Sequence, residues 1–156
     1  MKIDLHTHTK KCKSGDAPTR EIAPSEFCEI LTSTDVGIIA ITNHNVFDLT
    51  QFKEIEDGLG EGVQVWPGIE LDVVEQGARG HLLVIVSPTR AAEFSELVDQ
   101  LTSNSTPDEF TTSISAIIQS FDSLEPLYVA HYQQKKPNVS EVALEALTAG
   151  TAYPKQ

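Results

Sequence analysis

The sequence predicts an α/β fold with a largely parallel sheet or barrel. Two observations carry this. Short β-branched or alternating runs are separated by stretches of helical periodicity throughout the chain. The run Val36-Gly-Ile-Ile-Ala-Ile-Thr42 is apolar almost without interruption, as expected of a strand covered on both faces. A third observation concerns function: histidines fall at the ends of the strand-like runs, where α/β architectures build binding sites.

The chain has 156 residues, enough for one domain or part of one, and a formal net charge of −12. That charge excludes a protein that coats nucleic acid by bulk electrostatics. It does not exclude a phosphate substrate, because bound divalent cations would reverse the local field at a site of carboxylates and imidazoles. The two cysteines, Cys12 and Cys28, form no disulfide framework and read as free thiols of a reducing compartment. No apolar run reaches membrane-spanning length and no signal peptide is legible, so the expected location is cytoplasmic, with no membrane partner.

In order, Ile3 and Leu5 alternate with Asp4 and His6, which predicts a first strand. His6 and His8 are two residues apart, so on a strand both rings face one side and can hold one ion. Lys10 to Pro18 is a loop rich in lysine, glycine and proline, and its one acid, Asp16, reads on spacing alone as a turn residue. Pro24-Ser25-Glu26 opens a helix with Phe27, Ile30 and Leu31 on one face, ended by Asp35 and Gly37. The second strand leads directly into Asn43 and His44. Phe47 to Gly58 is a helix, closed by Gly58, Gly60 and Gly62. Val63 to Leu71 is a third strand, broken by Pro67-Gly68, with Glu70 just past the break. Gln76 to Gly80 is a hairpin-like turn. The fourth strand runs from His81 to Val86, and its histidine reaches the common rim only if this strand is reversed or set back. Helices follow at Ala91 to Leu101 and from about Asp108 to Phe121, with Phe94, Leu97, Val98, Phe110, Ile114, Ile117 and Ile118 as core. The fifth strand, Pro126 to His131, again ends in histidine. Lys135-Lys136-Pro137 is a basic loop, Glu141 to Leu147 a last helix, and Gly150 to Gln156 an open end.

Histidine and carboxylate without cysteine suit zinc, manganese or iron. The candidate ligands exceed the needs of one tetrahedral ion. Two or three divalent ions is the natural reading, with Glu70 suited to bridge two of them. Arg79 and Lys135, in loops near the rim, are candidate contacts for a substrate phosphate, and Asp4 is a candidate support for a ligand histidine.

Asp4-Leu-His-Thr-His-Thr9, Ala40-Ile-Thr-Asn-His-Asn45, Pro67-Gly-Ile-Glu70, Gly80-His81 and Val129-Ala-His131 resemble the ordered motifs of the PHP (polymerase and histidinol phosphatase) family over residues 1 to about 132. The resemblance implies a distorted (β/α)7-type barrel, two or three divalent metals, and phosphoester hydrolysis by a metal-activated water. It implies metal ligation by His6, His8, Asp16, His44, Glu70, His81 and His131, with Glu70, His81 and His131 at the catalytic centre. His6 and His8 would hold one metal, which Glu70 would bridge to a second completed by His81 and His131. His44 would hold a third, with Asp16. The substrate would be a phosphorylated small molecule, a nucleotide or a nucleic-acid end.

The chain departs from the family pattern in two places. Thr42-Asn43-His44 stands where the family usually has Thr-Asp-His, and no late Asp-x-His follows His131. The expectation is a single PHP-like domain over 1–156 that is cut before its barrel closes or is completed by another chain. The segment from Ala130 to Lys136 is similar to PHP domains placed ahead of ATPase regions. A non-catalytic, regulatory metal-binding domain is the alternative function. A metal-dependent amidohydrolase is a weaker one, because no lysine ends a strand to bridge metals.

Overall fold

The computed structural model describes residues 1–130. Its strands are β1 (Lys2–Thr7), β2 (Val36–Ile41), β3 (Gln64–Glu75), β4 (Ala78–Ile85) and β5 (Leu127–Ala130). Its α-helices are α1 (Pro24–Thr32), α2 (Leu49–Leu59), α3 (Ala91–Thr102) and α4 (Ile114–Phe121). The five strands lie side by side in chain order, in a sheet curled like half a barrel. The first three are mutually parallel, joined through α1 and α2. No helix among the described residues is long and apolar enough to cross a membrane.

The expected largely parallel sheet is corrected at its second half. β4 and β5 run antiparallel to their neighbours. The reason is local. Gln76 and Gly77, both at positive φ (47° and 81°), make a two-residue turn between β3 and β4, and so short a connection joins only antiparallel strands. The reversal satisfies the condition set for His81. β4 begins at Ala78, and its register sets His81 directly across from Asp72.

Pro67-Gly68 does not break β3, which runs through it for 12 residues. Pro67 sits opposite Ile41, the last paired residue of β2, so its missing N–H falls where that ladder stops. Its carbonyl still accepts from Val86 N at 3.0 Å. Space at position 68 is tight. A Cβ there would lie 3.0 Å from Thr42 Cγ2 and 3.1 Å from the Val84 carbonyl oxygen.

α4 also starts later than its periodicity suggests, at Ile114 in place of about Asp108. Past Ile41 the outer half of β3 has lost its neighbour, and its backbone groups need partners. Thr112 supplies them, donating its N–H to Asp72 O (3.1 Å) and accepting from Val74 N (2.9 Å). Ser113 then caps the helix by accepting from Ala116 N.

Alternation along the strands separates two faces. Ile39, Ile41, Val65, Ile69, Leu71, Leu82 and Val84 pack under the helices with Phe27, Phe52, Phe94 and Phe121. On the other, concave face Ala40, Leu83 and Ile85 contact Leu5, Trp66 and Val129. Glu70 and Asp72 fall on this concave side by the same two-residue period as Trp66. The larger core cluster therefore lies on the helix side of the sheet, and the polar residues share the concave side with the smaller cluster.

The expected fifth strand is present from Leu127, while His131, the Lys135 loop, the helix from Glu141 and the open end lie outside the described residues. Gly68→Val should destabilise the fold by about 1–3 kcal/mol by overpacking, read from urea unfolding. An unchanged midpoint would contradict the tight packing assigned to this position.

Candidate metal centre

The site forms where β1 and β2 end beside the middle of β3 and β4 passes alongside. Just beyond the sheet ladders the backbone is still tied. Asn43 O accepts from Glu70 N at 3.0 Å, and Glu70 O accepts from Asn45 N at 2.9 Å, so His44 sits directly beside Glu70. Asn45 turns the chain away with φ 55°.

Asn43, next to His44, is buried and fastens the segment after β1 to the segment after β2. Its Oδ1 accepts from the N–H of Thr9 (2.8 Å) and of Lys10 (3.1 Å), and its Nδ2 donates to Thr9 Oγ1 (3.2 Å). An amide can accept and donate in this way, whereas an ionised carboxylate only accepts. Asn43 thus fixes the backbone immediately after His8.

Glu70 is the centre of the arrangement, with 1% of its surface exposed. Its Oε2 lies 3.0 Å from His6 Nε2, 3.1 Å from His8 Nε2 and 2.8 Å from His44 Nε2. Its Oε1 lies 2.8 Å from His81 Nδ1. His6 Nε2 and His8 Nε2 are themselves 3.1 Å apart. Three imidazole nitrogens thus converge on one carboxylate oxygen, and two of them stand close beside each other. His8 Nδ1 is buried with no hydrogen-bond partner among the described residues.

Donor atoms of two groups, His6–His8–Glu70 and His44–Glu70–His81, each lie within 4.8 Å of one another. This donor set fits divalent cations. It consists of neutral-capable imidazoles and a hard carboxylate, gathered closely enough to share an ion.

The protonation preferences agree with this geometry. Burial pushes Glu70 toward the neutral acid, but hydrogen bonds from His44, His6, His8 and His81 outweigh it and hold the carboxyl far below its usual range. Burial lowers His8 against the pull of Glu70, favouring the neutral ring that a metal requires. Burial also pushes the Cys12 thiol up to about 11, which removes it as a thiolate ligand or nucleophile at neutral pH.

Asp16 is buried, and its Oδ1 accepts from His44 Nδ1 at 2.6 Å. Arg20 Nη1 donates to the same oxygen at 2.9 Å. That guanidinium also lies 2.8 Å from His44 Nδ1, and since both nitrogens are donors here, Asp16 is what they share. Oδ2 of Asp16 accepts from the N–H groups of Cys12 and Lys13, closing the loop as a turn aspartate would. Its contact to His44 is the one spacing alone does not reveal.

Of the expected site residues, His6, His8, Asp16, His44, Glu70 and His81 come together around Glu70. Arg79 is exposed on β4 and lines a groove of about 200 Å³ with Lys13, Asp72, His81, Asp108 and Thr111. His131 and Lys135 lie outside the described residues. Asp4 is exposed, and its Oδ1 accepts from His6 N.

Sequence reasoning gave no role to Asp72, Arg20 or Lys13. Asp72 Oδ1 lies 3.0 Å from His81 Nε2, and Lys13 Nζ pairs with its Oδ2. The signal for Asp72 was its two-residue offset from Glu70 on one strand. Lys13 and Arg20 sit in an irregular loop and left no signal.

No protein-family model and no curated protein matches the sequence. Among solved structures, the chain is similar to a presumed metal-dependent phosphoesterase from Bifidobacterium adolescentis. The TM-score is 0.61 and the identity 14%, over 95% of this chain and 74% of that one. It is also similar to an amidohydrolase from Chromobacterium violaceum solved with bound sulfate and no metal. There the TM-score is 0.47 and the identity 18%, over 65% of this chain and 34% of that one. At these identities the likeness to the first structure is one of fold.

His81 is held up to about 9, because hydrogen bonds to Asp72 and Glu70 outweigh its burial. A raised histidine stabilises the metal-free fold fully below its ordinary value of 6.5, and that contribution is lost as pH rises through about 9. In chelator, the gap in melting temperature between wild type and His81→Gln should therefore narrow between pH 6.5 and 9. A gap that widens with pH would contradict the pairing.

Proposed function

We propose that this chain is a metal-dependent hydrolase of the PHP type, acting on a phosphate ester. The observation that carries this reading is the sharing of Glu70 by two donor groups, His6–His8 on one side and His44–His81 on the other. A carboxylate with one oxygen toward three rings and the other toward a fourth is built to bridge neighbouring ions. The fold shared with a presumed metal-dependent phosphoesterase supports it.

His6 and His8 would hold one divalent ion, zinc, manganese or iron, and His81, with His131, a second bridged by Glu70. His44 would serve a third, with Asp16 as ligand or as support. Such ions lower the pKa of a bound water and neutralise phosphoryl oxygens. The chain's own residues then do the rest. The buried carboxylate of Glu70 keeps four rings converged. Asn43 and the backbone bonds at Asn43–Asn45 fix the rim on which they stand. The groove beside His81 gives the alcohol part of the ester a place to lie, and Arg79 there, with Lys135, would contact substrate oxygens. The substrate class is a nucleotide, a nucleic-acid end or a small phosphorylated metabolite. The domain would comprise the whole of 1–156, with an ATPase region as an associated partner and the cytoplasm as its location.

Metal analysis combined with p-nitrophenyl phosphate hydrolysis tests the proposal. Wild type should bind at least two ions per chain and turn over the ester. Glu70→Ala should lose metal and more than about 100-fold of activity, beyond the loss typical of a supporting residue. Metal uptake with no hydrolysis under any divalent ion would replace this reading with that of a non-catalytic metal-binding domain.

A further inference from the structure

Two acids beside the centre, Asp16 and the half-buried Asp72, belong to neither donor group. We propose that Asp72 is a positioning residue for the metal centre: it fixes which nitrogen of His81 faces the metal. The inference rests on the metal-binding reading above and deepens it.

The placement begins with strand register. Asp72 and His81 are directly opposed on the antiparallel β3–β4 ladder, and opposed residues project from the same face of a sheet. The His81 ring therefore spans two acids on β3. Its Nδ1 lies 2.8 Å from Glu70 Oε1 and its Nε2 lies 3.0 Å from Asp72 Oδ1. An imidazole has two nitrogens, and only an unprotonated one binds a metal. Donation of Nε2–H to Asp72 leaves Nδ1 as the nitrogen on the side of Glu70, where the second donor group lies and where a metal would take the place of its proton. Removing Asp72 frees the ring to turn over or to take the other tautomer.

Asp72 is itself immobilised, as such a role requires. Its side chain is only 13% exposed. Asn45 clasps the residue twice, accepting from Asp72 N through Oδ1 (2.9 Å) and donating from Nδ2 to Asp72 Oδ2 (3.0 Å). Lys13 reaches the same Oδ2 from the loop after β1. The lysine and the amide thus occupy one carboxylate oxygen and His81 the other. The ion pair and the ring contact are separable, and that separation makes the idea testable.

Zinc titration by calorimetry on the full chain, with melting curves as a folding control, tests the proposal in three proteins. Asp72→Ala should bind the His81-dependent ion about 10–100-fold more weakly than wild type. Lys13→Met, which leaves the Asp72–His81 contact intact, should stay within about threefold, a small fraction of that loss. A second measurement needs no variant. With cadmium-113 bound to wild type, nitrogen-15 spectra of the rings should show metal coupling at Nδ1 of His81 and a retained proton at Nε2. Metal coupling at Nε2 of His81, or equal affinity in Asp72→Ala and wild type, would overturn the assignment while leaving the metal centre standing. Failure of wild type to take up any metal would overturn both.

Discussion

The carboxylate of Glu70 is the constraint on which the rest of the site depends. An ionised glutamate at 1% exposure is costly unless its lone pairs are fully engaged. Four imidazoles engage them at 2.8–3.1 Å. The rings come from three separate places in the sequence, so the buried charge ties together the end of β1, the loop after β2, β3 itself and the facing strand β4. The sheet makes this possible by putting its larger hydrophobic cluster on the helix side. The helices bury Ile69 and Leu71, and the residues between and beyond them in β3, Glu70 and Asp72, are left for the concave side.

Around that carboxylate the support is layered. His44 and His81 each present one nitrogen to Glu70 and the other to a further acid, Asp16 and Asp72 respectively. Each of those acids is in turn met by a cation of the loop after β1, Arg20 for Asp16 and Lys13 for Asp72. Carboxylate–histidine pairs of this kind fix ring orientation in metal sites. The loop from Lys10 to Arg20 is accordingly part of the centre's scaffold, although nothing in its composition distinguishes it from a surface turn.

The sequence was most informative where pattern and chemistry coincide. Strand–helix alternation anticipated each described strand, and the histidines at strand ends anticipated the cluster around Glu70. It was least informative where neighbours in space decide the outcome. Pro67-Gly68 reads as a break, yet the strand continues because Pro67 stands where β2 has already ended. The residues before Ile114 have helical periodicity, but the unpaired outer half of β3 draws Thr112 into a bridge and delays the helix. The reversal of β4 follows from a two-residue turn that periodicity cannot see. The pairing of Asp16 with His44 spans 28 residues, a separation at which local spacing carries no signal.

The central claim is that Glu70 bridges two ions held by His6–His8 and by His44 or His81. Anomalous diffraction from crystals of the full chain grown with manganese or zinc tests this directly. The account expects two peaks about 3.5–4 Å apart with Glu70 between them, the spacing of two-metal sites. A single ion, or a pair that leaves Glu70 uncoordinated, would contradict it.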